Sequence, residues 1–104
     1  MTERVVRDNE AGQRFEIWVD GELAGFTRYQ PQGPGYALTH TEIDDRFEGQ
    51  GLGSALVRSV LDTLREAGAK VLPYCPFVRG YVERHPEYLD LVPADRRERF
   101  KLPA

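Results

Sequence analysis

The segment Phe47-Glu48-Gly49-Gln50-Gly51-Leu52-Gly53-Ser54 alternates three glycines with two larger residues. A β-rich segment precedes it and a segment with helical periodicity follows it, so the chain is predicted to pass here from a strand into a helix. Glycine tolerates positive φ and lets a ligand approach the backbone closely. The first N–H groups of a helix have no internal partner, and with the helix dipole they favour an anion such as a phosphate.

This glycine pattern has two interpretations, a phosphate cradle and a plain connecting turn, and by itself it favours neither. It lacks the spacing and the lysine of a P-loop. Ser54 stands where a dinucleotide-binding fingerprint has its third glycine. The hydroxyl of Ser54 is either a further donor to a phosphate or simply suited to the start of a helix.

The residues before the glycines predict an antiparallel meander of strands. Asp20-Gly21 between two alternating segments is the signal of a two-residue hairpin turn, which needs positive φ. The segment 31–35 is predicted as a loop because of its proline and glycine content. Four strands are expected, at Arg4–Arg7, Arg14–Val19, Glu22–Tyr29 and Tyr36–Ile43.

The residues after the glycines predict two helices with a short strand between them. Gly68 is suited to end the first helix, and Pro76 to begin the second. Pro73 restricts the strand to a sheet edge or a bulge. The expected elements are a helix over Leu52–Ala67, a strand over Lys70–Cys75 and a helix from Pro76 to Arg84 or His85.

The length of 104 residues suits one domain, and no shift in composition divides the chain. We expect a single domain over 1–104 with an α/β (α+β) fold, in which a mixed, mainly antiparallel sheet is flanked by two helices. Residues 87–92 are predicted to be either a last short strand or irregular. The charged residues 93–104 are predicted to form a peripheral tail.

Charge and composition restrict the class of function. The net charge is −3 and the longest basic run is Arg96-Arg97, which argues against a nucleic-acid partner. The sequence has no apolar run long enough to cross a bilayer and no apolar signal region at its start, so no membrane association is expected. The single cysteine, Cys75, excludes an internal disulfide, and a cytoplasmic location is expected.

The order of these elements resembles that of the GCN5-related N-acetyltransferases, in particular their minimal single-domain branch. Gly51 and Gly53 match the glycines of the family's Gln/Arg-x-x-Gly-x-Gly/Ala motif, while Glu48 stands where the family has Gln or Arg. The resemblance covers residues 14–92. It is carried by residues 14–16, 19–22, 39–42, 47–57, 75–78, Tyr81 and 84–88.

The resemblance implies that the protein binds acetyl-coenzyme A and transfers its acetyl group to an amine. In the family the strand before the glycines splays from its neighbour and pairs with the pantetheine arm, which assigns backbone roles to Glu42 and Ile43. A carboxylate beside a diphosphate is repelled, so the side chain of Glu48 is expected to point away. The pyrophosphate would be bound by main-chain N–H groups of Gly49, Gln50, Gly51, Leu52, Gly53 and Ser54.

Acetyl transfer to an amine also needs a base for the amine proton and an acid for the leaving thiolate. His40 and Glu42 are two apart on one strand and share a face, so the carboxylate can orient the imidazole as a base. The alternative is a structural histidine with satisfied hydrogen bonds. The resemblance places the family's proton-donating tyrosine at Val82, so Tyr81 beside it, or Tyr88, is the candidate acid. The alternative for either tyrosine is a core aromatic.

Cys75 lies where a strand ends and a helix begins, and a helix N-terminus stabilises a thiolate. The resemblance allows a nucleophile that carries the acetyl group or a residue that lines the site near the thioester. Direct transfer is usual in the family, which favours the lining role. A third interpretation is a small buried hydrophobe. No metal site is expected, because Cys75, His40 and His85 lack ligand spacing.

The sequence therefore predicts an N-acetyltransferase whose acceptor is a small-molecule or protein amine, acting as a monomer or weak homodimer. Two alternatives are a module that binds acyl-coenzyme A with little or no turnover, and a non-catalytic interaction domain. The first alternative is supported by the lack of the extra strands and helices that shape the acceptor pocket in larger relatives.

Overall fold

Five strands form one mixed sheet in the structure, a computed structural model that describes residues 3–103. The strands are β1 (Arg4–Asn9), β2 (Arg14–Val19), β3 (Glu22–Gln32), β4 (Gly35–Ile43) and β5 (Lys70–Pro73). Their order in the sheet follows the chain. The first three pairs are antiparallel, and β5 is parallel to β4. The mixed, mainly antiparallel α+β fold is therefore confirmed.

Two helices flank the sheet. α1 (Leu52–Glu66) contacts all five strands, and it ends before Gly68, whose φ is +70°. α2 (Pro76–Arg84) begins with a proline at its first turn, as predicted. Neither helix of the described residues has the length and apolar character needed to cross a membrane. The buried residues of α1 recur at helical spacing and are Leu52, Leu56, Val57, Val60, Leu61 and Leu64.

The strands β1–β4 have two faces because successive side chains alternate. Phe15, Ile17 and Thr27 are buried on the face that α1 covers, which we call the helical face. The opposite face is left uncovered by α1 and carries charged and aromatic side chains. We call it the open face, and its residues are Arg7, Arg14, Glu16, Trp18, Phe26, Arg28, His40 and Glu42.

A buried carboxylate organises part of the open face. Glu16 is only 6% exposed. Its oxygens accept hydrogen bonds from Asn9 Nδ2 at 3.0 Å, Arg14 Nε at 2.7 Å and Trp18 Nε1 at 3.2 Å. These bonds, that from Asn9 foremost, lower the pKa of Glu16 although burial acts in the opposite direction.

The hairpin between β3 and β4 is tighter than the sequence indicated. The segment 31–35 was predicted as a loop, but only the two residues Gly33-Pro34 separate the strands. Gly33 has φ +55°, which permits so short a turn. Gly35 allows β5 to begin beside it, because an added Cβ would overlap the carbonyl of Lys70.

The chain after β4 differs from expectation in three places. β5 lies at a sheet edge, as its proline indicated, but it ends at Pro73 and not at Cys75. Pro86–Leu91 forms a 3₁₀ helix, so the alternative of a last strand was wrong. The residues from 93 onward were expected to be peripheral, yet Phe100 is 2% exposed and packs edge-on against Tyr74 with ring centroids 5.0 Å apart. Tertiary packing against Tyr74 thus corrects the expectation of a loose tail.

Replacing Glu16 with glutamine should lower the free energy of unfolding by about 1–3 kcal/mol near neutral pH, because three donors lose their carboxylate partner. The folded-state pKa of Glu16 is lowered, so its stabilisation is complete above the unfolded pKa and is lost as pH falls through the folded pKa. The deficit of Glu16→Gln should therefore shrink in acid. Urea denaturation at neutral and at acidic pH measures it, with the exposed Glu22→Gln as control. A deficit that is the same at both pH values would contradict the assignment.

Candidate functional site

The glycine segment forms the turn from β4 to α1 that the sequence predicted. Gly49 and Gly51 have φ +81° and +70°, and Gly51 is the N-cap of α1. The first helical hydrogen bond runs from Ala55 N–H to the Gly51 carbonyl at 3.1 Å. The preceding N–H groups of the first turn therefore have no acceptor within the helix. We call residues 49–54 the cradle.

The cradle opens onto a cavity of about 280 Å³. A Cβ added at Gly49 or Gly51 would meet no atom within 4 Å, so both glycines border open space. A Cβ at Gly53 would instead lie 2.8 Å from the ring of Phe77, which is 42% exposed. Ser54 is the third residue of α1 and lies beside this cavity. The cavity is lined by Ile43, Phe47, Glu48, Gly49, Gly51, Leu52, Gly53, Ser54 and Phe77. Glu48, whose side chain was expected to point away, is thus one of the lining residues.

An arginine of β1 supports the cradle from outside. Arg4 Nη2 donates to the main-chain carbonyl of Gln50 at 3.1 Å, across a separation of 46 residues. This bond fixes the middle of the glycine turn and brings a positive charge beside it. No local pattern indicates this contact, because Arg4 is far from the glycines along the chain.

The pairing between β4 and β5 ends in the middle of β4, where the two strands separate. Their parallel pairing covers only Gly35 to Leu38 on β4, and Leu38 is paired with Pro73. On its other side β4 remains paired with β3 as far as Ile43. Within residues 3–103 the edge of β4 from Thr39 to Ile43 therefore pairs with no strand on this side, which agrees with the splayed strand expected from the resemblance. Glu42 and Ile43 lie on this edge, between the point of parting and the cradle.

Cys75 lies at the point where the two strands part. Its N–H donates to the Leu38 carbonyl at 2.8 Å, and its backbone is the N-cap of α2. The side chain is 3% exposed, and Sγ lies 3.5 Å from Thr41 Oγ1. Thr41 Oγ1 in turn lies 3.0 Å from Oγ1 of the fully buried Thr27. Cys75 thus closes the inner end of the gap as part of a small polar cluster.

His40 and Glu42 share a face of β4, as their spacing predicted. His40 Nε2 lies 3.5 Å from Glu42 Oε1, and both side chains are more than half exposed. The pair lies on the open face, whereas Thr41 and Cys75 meet on the helical face. His40 contacts Glu42 and Phe26, and alternation along β4 directs it away from Cys75. The predicted base and the predicted nucleophile are therefore not brought together.

A scan against protein-family models matches residues 14–91 to the GCN5-related N-acetyltransferase model. This covers well over half of the chain. The protein belongs to the GCN5-related N-acetyltransferase family. The family is one of acyl-group transfer, and the match includes β2 to the 3₁₀ helix after α2, so that it contains the cradle, the free edge of β4 and Cys75.

The chain is also similar to proteins of known sequence and to one of known structure. Protein NATD1 of Homo sapiens, of Mus musculus and of Xenopus tropicalis is 33% identical over 55 residues, which is 51% of this chain. The chain spans about half the length of the curated relatives it matches. The NMR structure of a GCN5-like protein from Staphylococcus aureus superimposes with a TM-score of 0.65 at 23% identity. It covers 86% of this chain and 87% of its own, which supports the fold.

Tyr81, the candidate acid, lies in a different environment from Cys75. It is 5% exposed and stacks on His85 with ring centroids 4.1 Å apart. Burial raises the pKa of Tyr81, and the charged groups that act on it include Arg58 of α1 and Glu87. These surroundings match the core aromatic that was the alternative interpretation, while the role of Tyr81 as an acid stays a prediction.

The site as a whole contains residues that the sequence did not single out, namely Arg4, Thr41, Thr27 and Phe77. The sequence pattern assigns Phe77 only to an apolar stripe of a helix. Its ring is in fact exposed and lies against Gly53, which only the folded chain reveals. Within residues 3–103 no three His, Cys, Asp or Glu side chains lie close enough to hold a metal ion.

Replacing Thr41 with valine should destabilise the fold by about 1–3 kcal/mol, because the buried hydroxyl of Thr27 would lose its partner. Adding Thr27→Val should recover part of that loss, since both polar groups are then removed together. Urea denaturation of the two single variants and the double variant measures the coupling. Strictly additive losses would mean that the two hydroxyls do not depend on each other.

Proposed function

We propose that this protein binds acetyl-coenzyme A and transfers the acetyl group to an amine. The observation that carries the proposal is a path along the backbone, on which the first-turn N–H groups of the cradle, the edge of β4 from Ile43 to Thr39 and Cys75 follow one another. A diphosphate suits the first part of this path, since it matches the positive end of α1 and the added charge of Arg4. An amide-containing arm suits the second, since the edge of β4 presents main-chain donors and acceptors.

Different residues along this path bind different parts of the cofactor. The N–H groups of Leu52, Gly53 and Ser54 bind the diphosphate, and Phe77 provides an apolar wall beside it. The backbone of Glu42 and Ile43 orients the pantetheine arm. When bound, the cofactor would supply an activated thioester, and Thr41 and Cys75 would line the site at its acyl end.

The proton of the acceptor amine has a base on the open face. His40 is exposed, and Glu42 lies within reach to orient its ring and to stabilise the imidazolium. Successive side chains of β4 point to opposite faces of the sheet. A ligand that lies along the free edge of β4 is therefore close to side chains of both faces. The amine therefore approaches from the open face, while Cys75 lines the opposite side.

A second candidate is a module that binds acyl-coenzyme A without efficient turnover. It is favoured by the exposure of His40 and by its separation from Cys75, because a catalytic base usually lies in a more enclosed site. Measured acetylation of an amine panel distinguishes the two functions.

The glycine positions allow a matched test of cofactor binding. Gly51 and Gly68 both have φ +70° and open space around an added Cβ, and they lie at opposite ends of α1. Alanine at either position should cost about 1–2 kcal/mol of stability. Acetyl-coenzyme A at a hundred times its Kd should stabilise the wild-type protein by about 2.7 kcal/mol. In a thermal shift assay Gly68→Ala should keep this gain and Gly51→Ala should lose most of it. Equal gains in the two variants would exclude the cradle as the binding site.

The role of Cys75 is tested by mass spectrometry. Because Cys75 is buried and donates to Thr41, we expect direct transfer without an acyl-enzyme. The intact mass after incubation with acetyl-coenzyme A should not rise by a hydroxylamine-sensitive acetyl group. Cys75→Ala should retain the thermal shift with the cofactor. Since the chain has one cysteine, a labile acetyl group that Cys75→Ala lacks would establish a covalent mechanism instead.

A further inference from the structure

Three basic side chains form one row across the open face. Arg14 of β2 is the cross-strand partner of Arg28 on β3, and Arg28 is the partner of His40 on β4. Directly paired residues on antiparallel strands have Cβ atoms about 4.5–5.5 Å apart and point to the same side. Like charges in such pairs are destabilising. The two arginines therefore repel each other, and protonation of His40 adds to the repulsion.

The two outer members of the row each have a carboxylate partner, since His40 Nε2 lies 3.5 Å from Glu42 Oε1 at the other end. Arg14 is paired with the buried Glu16. Among residues 3–103, Arg28 forms no ion pair. Both guanidinium carbons lie against the ring of Phe26, Arg14 at 4.7 Å and Arg28 at 5.1 Å from its centroid. Phe26 thus keeps two cations side by side and leaves the donors of the exposed Arg28 available.

This row of side chains is suited to bind an anion. A carboxylate on Arg28 would offset the repulsion from Arg14 and would gain bidentate hydrogen bonds. Arg28 is a positive charge with no ion-pair partner among residues 3–103, although the chain as a whole carries a net charge of −3. It therefore offers a local complement to an acidic partner.

The neighbouring row fits a cation. Glu42 is the cross-strand partner of Phe26, two residues from His40 along β4 and so about 7 Å away. Glu42 and Phe26 border a cavity of about 190 Å³, whose other lining residues are Leu23, Ala24, Gly25 and Asp44. An aliphatic chain that ends in an ammonium group matches these apolar walls and carboxylates. A candidate anion-binding position at Arg28 and a candidate cation-binding position at Glu42 therefore lie next to each other on the open face.

We propose that the open face binds an acidic polypeptide segment, with a carboxylate on Arg28 and a lysine side chain in the cavity beside Glu42. The assignment of that lysine as the acetyl acceptor rests on the proposed function. Binding of the acidic segment does not depend on turnover. The acceptor class is thus a protein lysine with an acidic neighbour one or two residues away.

Three fluorescein-labelled peptides with blocked ends test this directly. Each has one central lysine, flanked by aspartate, asparagine or arginine residues. Fluorescence polarisation should give at least tenfold tighter binding for the aspartate peptide than for the other two. Arg28→Gln should weaken the aspartate peptide about tenfold and leave the asparagine peptide unchanged. Arg84→Gln removes an exposed arginine from the last turn of α2 and should change neither.

Each contrary outcome overturns the proposal in a recognisable way. Equal affinity for the three peptides, or an aspartate peptide that is insensitive to Arg28→Gln, would exclude the acidic docking surface. A wild-type dimer in sedimentation that Arg28→Glu dissociates would make this face a homodimer interface instead. The thermal shift with acetyl-coenzyme A is measured in parallel. Acidic docking without that shift would refute the proposed function alone, and the shift without acidic docking would refute this inference alone.

Discussion

The parting of β4 from β5 is the constraint on which the rest of the site depends. Pro73 has no N–H, so the parallel ladder cannot continue beyond its pairing with Leu38. The last backbone link is the N–H of Cys75 to the Leu38 carbonyl at 2.8 Å. Beyond it α2 begins at Pro76, and the edge of β4 is free as far as the cradle. One proline thus determines where the sheet opens, and the opening determines where a ligand can pair with β4.

The elements that the sequence predicted well are those with local signals. The apolar stripe predicted α1, and Asp20-Gly21 predicted a turn whose residues have φ +48° and +83°. The end of the chain was predicted poorly, because the residues around Phe100 are charged and indicate solvent. The burial of Phe100 depends on Tyr74, which follows β5 in a distant part of the sequence. A tertiary contact of this kind has no periodic pattern.

The features of the candidate site likewise fall into those with a local sequence signal and those that depend on tertiary contacts. The glycine turn into α1 and the shared face of His40 and Glu42 follow from short-range spacing, and the structure has both, while the roles of these residues stay predictions. The contact of Cys75 with Thr41 joins residues 34 apart. It required the crossover through α1 that brings β5 beside β4, which is a property of the topology. Local spacing fixes which residues share a face, but only the assembled sheet decides which faces meet.

A bulge in β4 decides which side chains reach each face. Arg28 is paired with His40 and the next residue of β3 is paired with Leu38, so Thr39 is an extra residue on β4. A shift of one residue exchanges the two faces of a strand. Without the bulge the side chain of Thr41 would lie on the open face and His40 on the helical face, beside Cys75. The extra residue therefore places a titratable pair on the accessible face and a buried polar cluster behind it, which is how bulges redirect side chains beside functional sites.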